Sequence, residues 1–414
     1  MKYFITILLI VLCSFMFAEE YTLENLIEIG LEKSIGIQKE ELSNKNYSSC
    51  LRSSFIDLLP SLNMYADQYK TNDADWVKSS SLSFGKTFSV NDPYNEPAFF
   101  SIYKAVNSKK RANLSLEQKR KQIVYNIFSK YLYVLEAQKN LEIRRKNLEL
   151  QQKIFSQIQV QYESGEKSLL ELKQSEISMI DYQIAVGESE DNLNSTRNSL
   201  FAYLNINDKG YSFIEPKISN KSMKFTFTNN LEIQMLKYAV KNCKLNLIKN
   251  SLHYLPDLSL SYYVYNTNPS NSNYTPFDEY VKSKTLTLSA SFSVFDIFEE
   301  SESFFRNKRN YKILKLGLQE LKRDTEYRFD ELEKRIETLS KSKKLYENKM
   351  QLAENNLEMA QEQFKLGLIS LLDLDRTKID HQNAQLSFNN KYYELLRKQE
   401  EINLLLSKQI FNRW

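Results

Sequence analysis

The stretch QYESGEKSLLEL from Gln161 to Leu172 returns as QFKLGLISLLDL from Gln363 to Leu374, and this duplication restricts the fold more than any other feature of the chain. Gly367 stands 202 residues after Gly165, and the same shift lays Ser168, Leu169, Leu170 and Leu172 on Ser370, Leu371, Leu372 and Leu374. The acidic position is kept as Glu171 and Asp373. Each copy sets one glycine between long polar segments of helical character, which reads as the bend of a helical hairpin. An internal repeat of this kind decides the architecture. Composition agrees, because 8 glycines and 7 prolines in 414 residues supply too few turns for two or three compact domains. Long, uninterrupted elements are implied.

Near their beginnings the two halves are offset by 196 residues, which carries Ile37-Gln38 onto Ile233-Gln234 and Leu59-Pro60 onto Leu255-Pro256. Tyr21 to Leu59 reads as a helix capped by Thr22, with Glu24 in its first turn and Leu23, Leu26, Ile27 and Leu31 at helical spacing. Pro60 stops it. Beyond each proline the apolar period becomes two, predicting β-hairpins at about 61–90 and 257–295. A helix from about Phe100 to Tyr162 follows, with no glycine or proline, about 90 Å long at 1.5 Å per residue. Its counterpart runs from about Phe304 to Phe364. Past each glycine a shorter helix returns, Ser168 to about Leu204 and Ser370 to about Leu406. The apolar stripes are narrow (Ile123, Ile127, Tyr131, Val134 and Leu135 in the first) and cannot bury themselves in a monomer, so the helices must pair laterally as coiled coils do. The expected organisation is a signal peptide over 1–18, a first structural repeat over 19–204, an inter-repeat linker over 205–230 and a second repeat over 231–414.

The final strand carries the most functional information. Leu286, Leu288, Ala290, Phe292 and Val294 alternate with Thr285, Thr287, Ser289, Ser291 and Ser293, so one face is apolar and the other is small hydroxyls. A half-buried strand of a soluble sandwich would place Lys, Glu or Arg on its wet side. Lipid on one side and a water-filled lumen on the other fits better, at the roughly nine to eleven residues a tilted membrane strand needs. Lys86 breaks the apolar phase of its strand and suits lipid only near an interface, where its stem can carry the charge to water. Four strands have open edges and cannot seal in a bilayer, so closure requires several copies.

Tyr3 to Phe17 is apolar behind a single lysine and ends in Met16-Phe17-Ala18 before Glu19-Glu20, the pattern of a leader cut after Ala18. The mature chain then keeps Cys50 and Cys243, too few and too far apart for a disulfide framework. With 56 basic against 52 acidic residues the net charge is +4, and no strongly basic field for nucleic acid is present. His253 and His381 have no cysteine or clustered acid at ligand spacing, and no phosphate-cradling loop or nucleophile elbow occurs. The expectation is a protein that is no enzyme and uses no cofactor or metal.

The order helix, strand, strand, long helix, glycine bend, return helix, the TLENLIEIGLEKS opening, the two Leu-Pro junctions and the Tyr/Phe-x-x-Gly bends with Leu-Leu-Glu/Asp resemble the outer membrane efflux protein family, the TolC-type channels. The resemblance implies a mainly α chain with a β-barrel part: duplicated helix-strand-strand-helix-helix halves, and four membrane β-strands per chain in a trimeric twelve-stranded barrel that continues into an α-helical tunnel. It implies an outer membrane exit duct with a long periplasmic portion, serving a tripartite efflux or type I secretion system. The partners implied are two further copies, outer membrane lipid, a periplasmic adaptor and an inner-membrane pump of RND, ABC or MFS type. The bends would form the periplasmic tip. Tyr162 and Lys167, flanking Gly165, match the family's lock on one hairpin; Phe364 and Gly367 mark the other, where Asp373 matches the facing carboxylate. Glu171 matches a ring-forming carboxylate, while Gln174 stands where the family can carry a further acid. Asn91-Asp92-Pro93 and Asp296-Ile297-Phe298 replace the family's Gly-rich turns. The competing expectation is an exported structural or adhesive coiled-coil protein whose β head packs against protein.

Overall fold

In the computed structural model the described residues are 20–69, 77–89, 97–216, 230–252, 255–267, 281–291 and 296–409. The expected leader over 1–18, His253, the Asn91-Asp92-Pro93 joint, residues 217–229 of the linker, and the hairpin ends at 90 and 292–295 lie outside them. The elements in order are β1 (Glu20–Tyr21), α1 (Leu23–Lys33), α2 (Ile35–Ile56), β2 (Ser61–Tyr69), β3 (Val77–Ser89), α3 (Ala98–Glu163), α4 (Leu169–Leu204), β4 (Ser212–Phe213), α5 (Leu231–Leu252), β5 (Asp257–Thr267), β6 (Val281–Ser291), α6 (Asp296–Lys365) and α7 (Leu371–Leu405). The chain divides into two compact units. Residues Met1–Ile37, Gln118–Asn230 and Asp324–Trp414 make one, and Gln38–Glu117 with Leu231–Arg323 the other.

One expected element is corrected. The helix read from Tyr21 to Leu59 is two helices, and Tyr21 itself lies in a strand. The break falls at Ser34, whose ψ of 113° leaves the helical region while its N–H still donates to the Gly30 carbonyl. Ser34 also starts the next helix, because its hydroxyl and its carbonyl both accept from the Ile37 N–H. A serine can end one helix and begin another by this local bonding, and leucine periodicity does not register it. Thr22 caps α1 as its position suggests, accepting from the Asn25 N–H at 3.3 Å. The long helix α6 begins at Asp296, so Asp296-Ile297-Phe298 form its first turn rather than a turn before it.

In the first unit the core gathers around Tyr131 of α3, which is fully buried with Ile127, Phe128 and Leu132. A buried phenol needs polar partners, and here they come from the main chain. The Tyr131 hydroxyl lies 2.9 Å from the Tyr21 carbonyl and 2.5 Å from the Ile214 carbonyl, and it accepts from the Ile214 N–H. The first carbonyl belongs to β1 and the second follows β4, and these two strands pair in parallel as Glu20 with Ser212 and Tyr21 with Phe213. Arg197 of α4 grips Asp208 through two bonds of 2.6 and 2.7 Å and covers the Phe213 ring at 5.0 Å. Asp208, β4 and Ile214 of this small layer come from the described part of the expected linker, and β1, Tyr131 and Arg197 from outside it.

Nearer the bends of the same unit, Ile154 and Ile158 of α3, Leu357 and Ala360 of α6, and Leu371 and Leu374 of α7 form one buried cluster. Farther along, Phe329 and Leu332 of α6 meet Ile402 and Leu406. Contrary to the expectation that they cannot bury themselves in a monomer, the narrow stripes find partners among the helices of one chain, although the second stripe does so only in part: Leu345 and Leu352 remain 68% and 65% exposed.

The second unit carries a four-stranded antiparallel sheet of order β2-β3-β5-β6. Asparagines tie the neighbouring helices: Asn107 donates to Asn242 at 2.9 Å, and Asn250 donates to Ser303 at 2.8 Å. Among the described residues no helix is long and apolar enough to cross a membrane.

Candidate functional site

Residues directly opposite in an antiparallel sheet share a face, so the register sorts the side chains. Leu62 pairs with Phe84 and Phe84 with Val264; Phe88 pairs with Leu260 and Leu260 with Leu288; Leu258 pairs with Ala290. Met64 and Leu82 form a further row. All belong to one face. Leu62, Met64, Leu286 and Leu288 are each 68–77% exposed on the single chain. Its apolar rows shift from Leu62 and Met64 on β2 to Leu288 and Ala290 on β6, the stagger that tilted strands of a closed barrel produce.

The opposite face is hydroxyl-lined. Thr87 pairs with Ser261 and Ser261 with Thr287; Ser89, Ser259 and Ser289 form the next row. The Thr87 hydroxyl lies 2.9 Å from that of Ser261 and 3.1 Å from that of Tyr263, and Ser89 donates to Asp257 at 2.6 Å. Gly85 sits among them because the Tyr263 ring crosses its α-carbon; a β-carbon there would lie 2.2 Å from Tyr263 Cδ1. Lys86 is on the apolar face, opposite Tyr262, and its ammonium donates to the Asp57 main-chain carbonyl just past α2. The cation thus sits at the helix-to-strand junction, not in mid-sheet. β2 and β6 have no second partner within the sheet.

The duplicated bends are built from two local motifs back to back. At the first, the Gly165 N–H donates to the Tyr162 carbonyl and the Glu166 N–H to that of Gln161; at the second, Gly367 donates to Phe364 and Leu368 to Gln363. These are paired 6→1 and 5→2 bonds closing a helix with the glycine left-handed, at φ of 80° and 73°. The return helix then opens with a capping box. Ser168 Oγ accepts from the Glu171 N–H while Glu171 accepts from the Ser168 N–H, and Ser370 with Asp373 repeats both bonds. The spacing of the repeated motif is the spacing these caps require.

The predicted tip residues all lie at these bends. Lys167 Nζ is 2.8 Å from Glu171 Oε1 in its own hairpin and 5.2 Å from the centroid of the Phe364 ring in the other. Asp373 is held by Ser370, and within one chain, among the described residues, neither Tyr162 nor Lys167 reaches it. Bonding from Lys167, then the Ser168 N–H, lowers the Glu171 pKa, and bonding from Ser370 lowers that of Asp373. Both carboxylates are therefore held in the charged form. Leu170, Leu366, Leu368 and Leu372 surround them as exposed apolar residues.

Sequence reading missed a buried charge close by. Lys378 of α7 is 1% exposed, with its ammonium 2.5 Å from Asp375 Oδ1, bonded to the Gln151 side chain of α3, and 5.7 Å from the Tyr182 ring centroid of α4. Ser178 of α4 donates to the other Asp375 oxygen at 3.0 Å. Burial lowers the Lys378 pKa against the pull of Asp375 and raises the Tyr182 phenol to about 12. The signal was present: Lys378 continues the buried i, i+3 and i+4 spacing of Leu371 and Leu374. His381, one turn on, is also buried, and burial lowers its pKa against the opposing effect of Glu354. Among the described residues no group of three or more His, Cys, Asp or Glu is placed to hold a metal.

No protein-family model matches the chain, and no curated protein matches it. Solved structures do. The CmeC outer membrane channel of Campylobacter jejuni superposes with a TM-score of 0.78 at 15% identity over 95% of this chain and 87% of that one. The outer membrane protein VceC of Vibrio cholerae gives 0.77 at 14% over 93% and 94%. The open-state MtrE outer membrane channel of Neisseria gonorrhoeae gives 0.79 at 12% over 93% and 89%. Together with the two-faced sheet and the twinned bends, this likeness establishes that the chain has the TolC-type outer membrane channel fold.

Proposed function

We propose that the chain is one of three identical subunits of an outer membrane exit duct, each giving four strands to a twelve-stranded barrel. The single observation that carries this reading is the sheet, apolar and exposed on one face, hydroxyl-lined on the other, and open at β2 and β6. Lipid satisfies the first face, water the second, and further copies the edges. A rod with a packed β head would need protein over both faces, and the exposure of Leu62, Met64, Leu286 and Leu288 argues against it.

Helices support the same assembly. Leu345, Leu352, Met359 and Leu366 of α6 and its end are all exposed and recur every seven residues, as do Leu170, Ile177 and Ile184 of α4. Rows of that period are coiled-coil seams without partners in the single chain. Seated on neighbouring copies, they make a contact between unlike surfaces, the kind that closes into a ring.

In this reading the bends form the periplasmic tip, where Tyr162 and Lys167 of one hairpin hold the closed state against Asp373 of the other. Threefold rings of Glu171 and Asp373 attract cations at the constriction. The exposed leucines beside them dock a periplasmic adaptor, and an inner-membrane pump supplies the energy for efflux or secretion. The duct itself is passive. Planar-bilayer recording of the purified chain tests the reading: discrete, cation-preferring steps are expected. A trimer that never conducts, even with Glu171→Ala and Asp373→Ala combined, contradicts it.

A further inference from the structure

β3 outruns its neighbour. β2 begins at Ser61, opposite Gly85, so residues from Lys86 to Ser89 pair with β5 on one side and meet no strand of this sheet on the other. The vacated flank is a cleft of about 1070 Å³ between the end of α2, the base of the sheet and the start of α3. One wall is apolar: Phe88, Leu260 and Leu288 form a continuous cross-strand row, with Phe99 nearby. All four are roughly half or more exposed. Two charges of opposite sign share the lining, Lys86 and Asp57. Among the described residues the Lys86 ammonium bonds only a main-chain carbonyl and neither charge belongs to an ion pair.

We infer that this cleft binds one phospholipid bearing both a phosphate and a primary ammonium, of the phosphatidylethanolamine class. The inference rests on the proposed membrane setting of the sheet. The acyl chains lie on the Phe88, Leu260 and Leu288 row, the phosphate meets Lys86, and the headgroup ammonium meets Asp57. The pairing of charges selects the class. A lipid with phosphate alone satisfies Lys86 but brings a second anion towards Asp57, whereas a zwitterionic headgroup neutralises both. Lys86 on the lipid-facing side, which would otherwise cost stability there, is thereby given a partner.

Native mass spectrometry of the full chain, purified in mild detergent and titrated with phosphatidylethanolamine or phosphatidylglycerol of matched acyl chains, tests this. Wild type is expected to take one phosphatidylethanolamine per chain, about tenfold more tightly than phosphatidylglycerol. Lys86→Met should lose about tenfold in affinity for both lipids, and Lys86→Arg should retain wild-type binding. Asp57→Asn should bring the two lipids to equal affinity. Equal affinity in wild type, or undiminished binding by Lys86→Met, overturns the site. Bilayer recording of the same preparations separates the two readings: a conducting channel without selective lipid sinks the site alone, and a chain that neither conducts nor takes lipid sinks both.

Discussion

Gly85 has a tyrosine ring where its side chain would be. A β-carbon there would also lie 2.5 Å from the Tyr262 carbonyl oxygen, and backbone cannot step aside as a flexible side chain can. Gly85→Ala is therefore expected to destabilise the sheet by about 1–3 kcal/mol, the usual range for overpacking, seen as a lower thermal transition of the assembled protein. Gly165 presents the opposite case. Nothing lies within 4 Å of its missing side chain, but φ is +80°, so Gly165→Ala should cost about 1–2 kcal/mol through conformation alone. Gly165→Asn should cost less, because asparagine tolerates that region; circular dichroism during heating compares the two. The bend glycines were legible because their caps are local in sequence. Gly85 was not, since the Tyr263 that covers it arrives from 178 residues away through sheet register. The acids beside the bends yield a pH test. Both folded pKa values are lowered, so both groups stay charged through the ordinary carboxylate range near pH 4 and lose charge only as pH falls through the lowered values. Cation preference, read as reversal potential in a salt gradient, should hold from pH 7 to about pH 5 and weaken only below about pH 4.

At the scale of elements, Lys378 pins three helices to one register. From α7 it bonds the Gln151 side chain of α3 and faces the Tyr182 ring of α4, while its partner Asp375 accepts from Ser178 of α4, so the cluster is complete only when all three helices are aligned. Lys378→Ala leaves Asp375 beside Ser178 with no cation and should destabilise the bundle by about 3–5 kcal/mol, the range for breaking a buried pair. Lys378→Met combined with Asp375→Leu should recover most of that loss, since a well-packed apolar pair often equals a buried ionic one. Hydrogen exchange along α4 and α7 measures both. The sign of the pH effect follows from the lowered lysine pKa. The unfolded chain holds that proton more tightly, so this site's contribution to stability rises as pH climbs towards the ordinary lysine value near 10. The long helices were legible from period and from the scarcity of breakers. The division of the first helix at Ser34 was not, because one serine hydroxyl and one ψ angle made it.

At the scale of the whole molecule, the unpaired seven-residue rows are where assembly should be vulnerable. Leu352→Glu places a charge on the α6 row and Ile177→Glu places one on the α4 row, and both side chains are exposed in the single chain. Neither should alter the folding of one chain by more than a few tenths of a kcal/mol, as is usual at surfaces. Either should shift the purified protein from trimer towards monomer, measured by light scattering of the protein–detergent complex. Full trimer from both variants would remove these rows from the interface.

What the sequence by itself determined was whatever repeats within a few residues: the two bends with their caps, the long helices, and strands with one oily and one hydroxyl face. Their order was enough to identify the fold that solved channels share at 12–15% identity. Only the tertiary structure decided which residues meet across the chain. It put Lys86 at the end of α2, the Tyr263 ring over Gly85, the Tyr131 hydroxyl on the Tyr21 and Ile214 carbonyls, and a lysine in the core of the bend-side bundle. Periodicity records which face a side chain takes along its own helix or strand, but a partner 100 or 200 residues away is selected by packing and register.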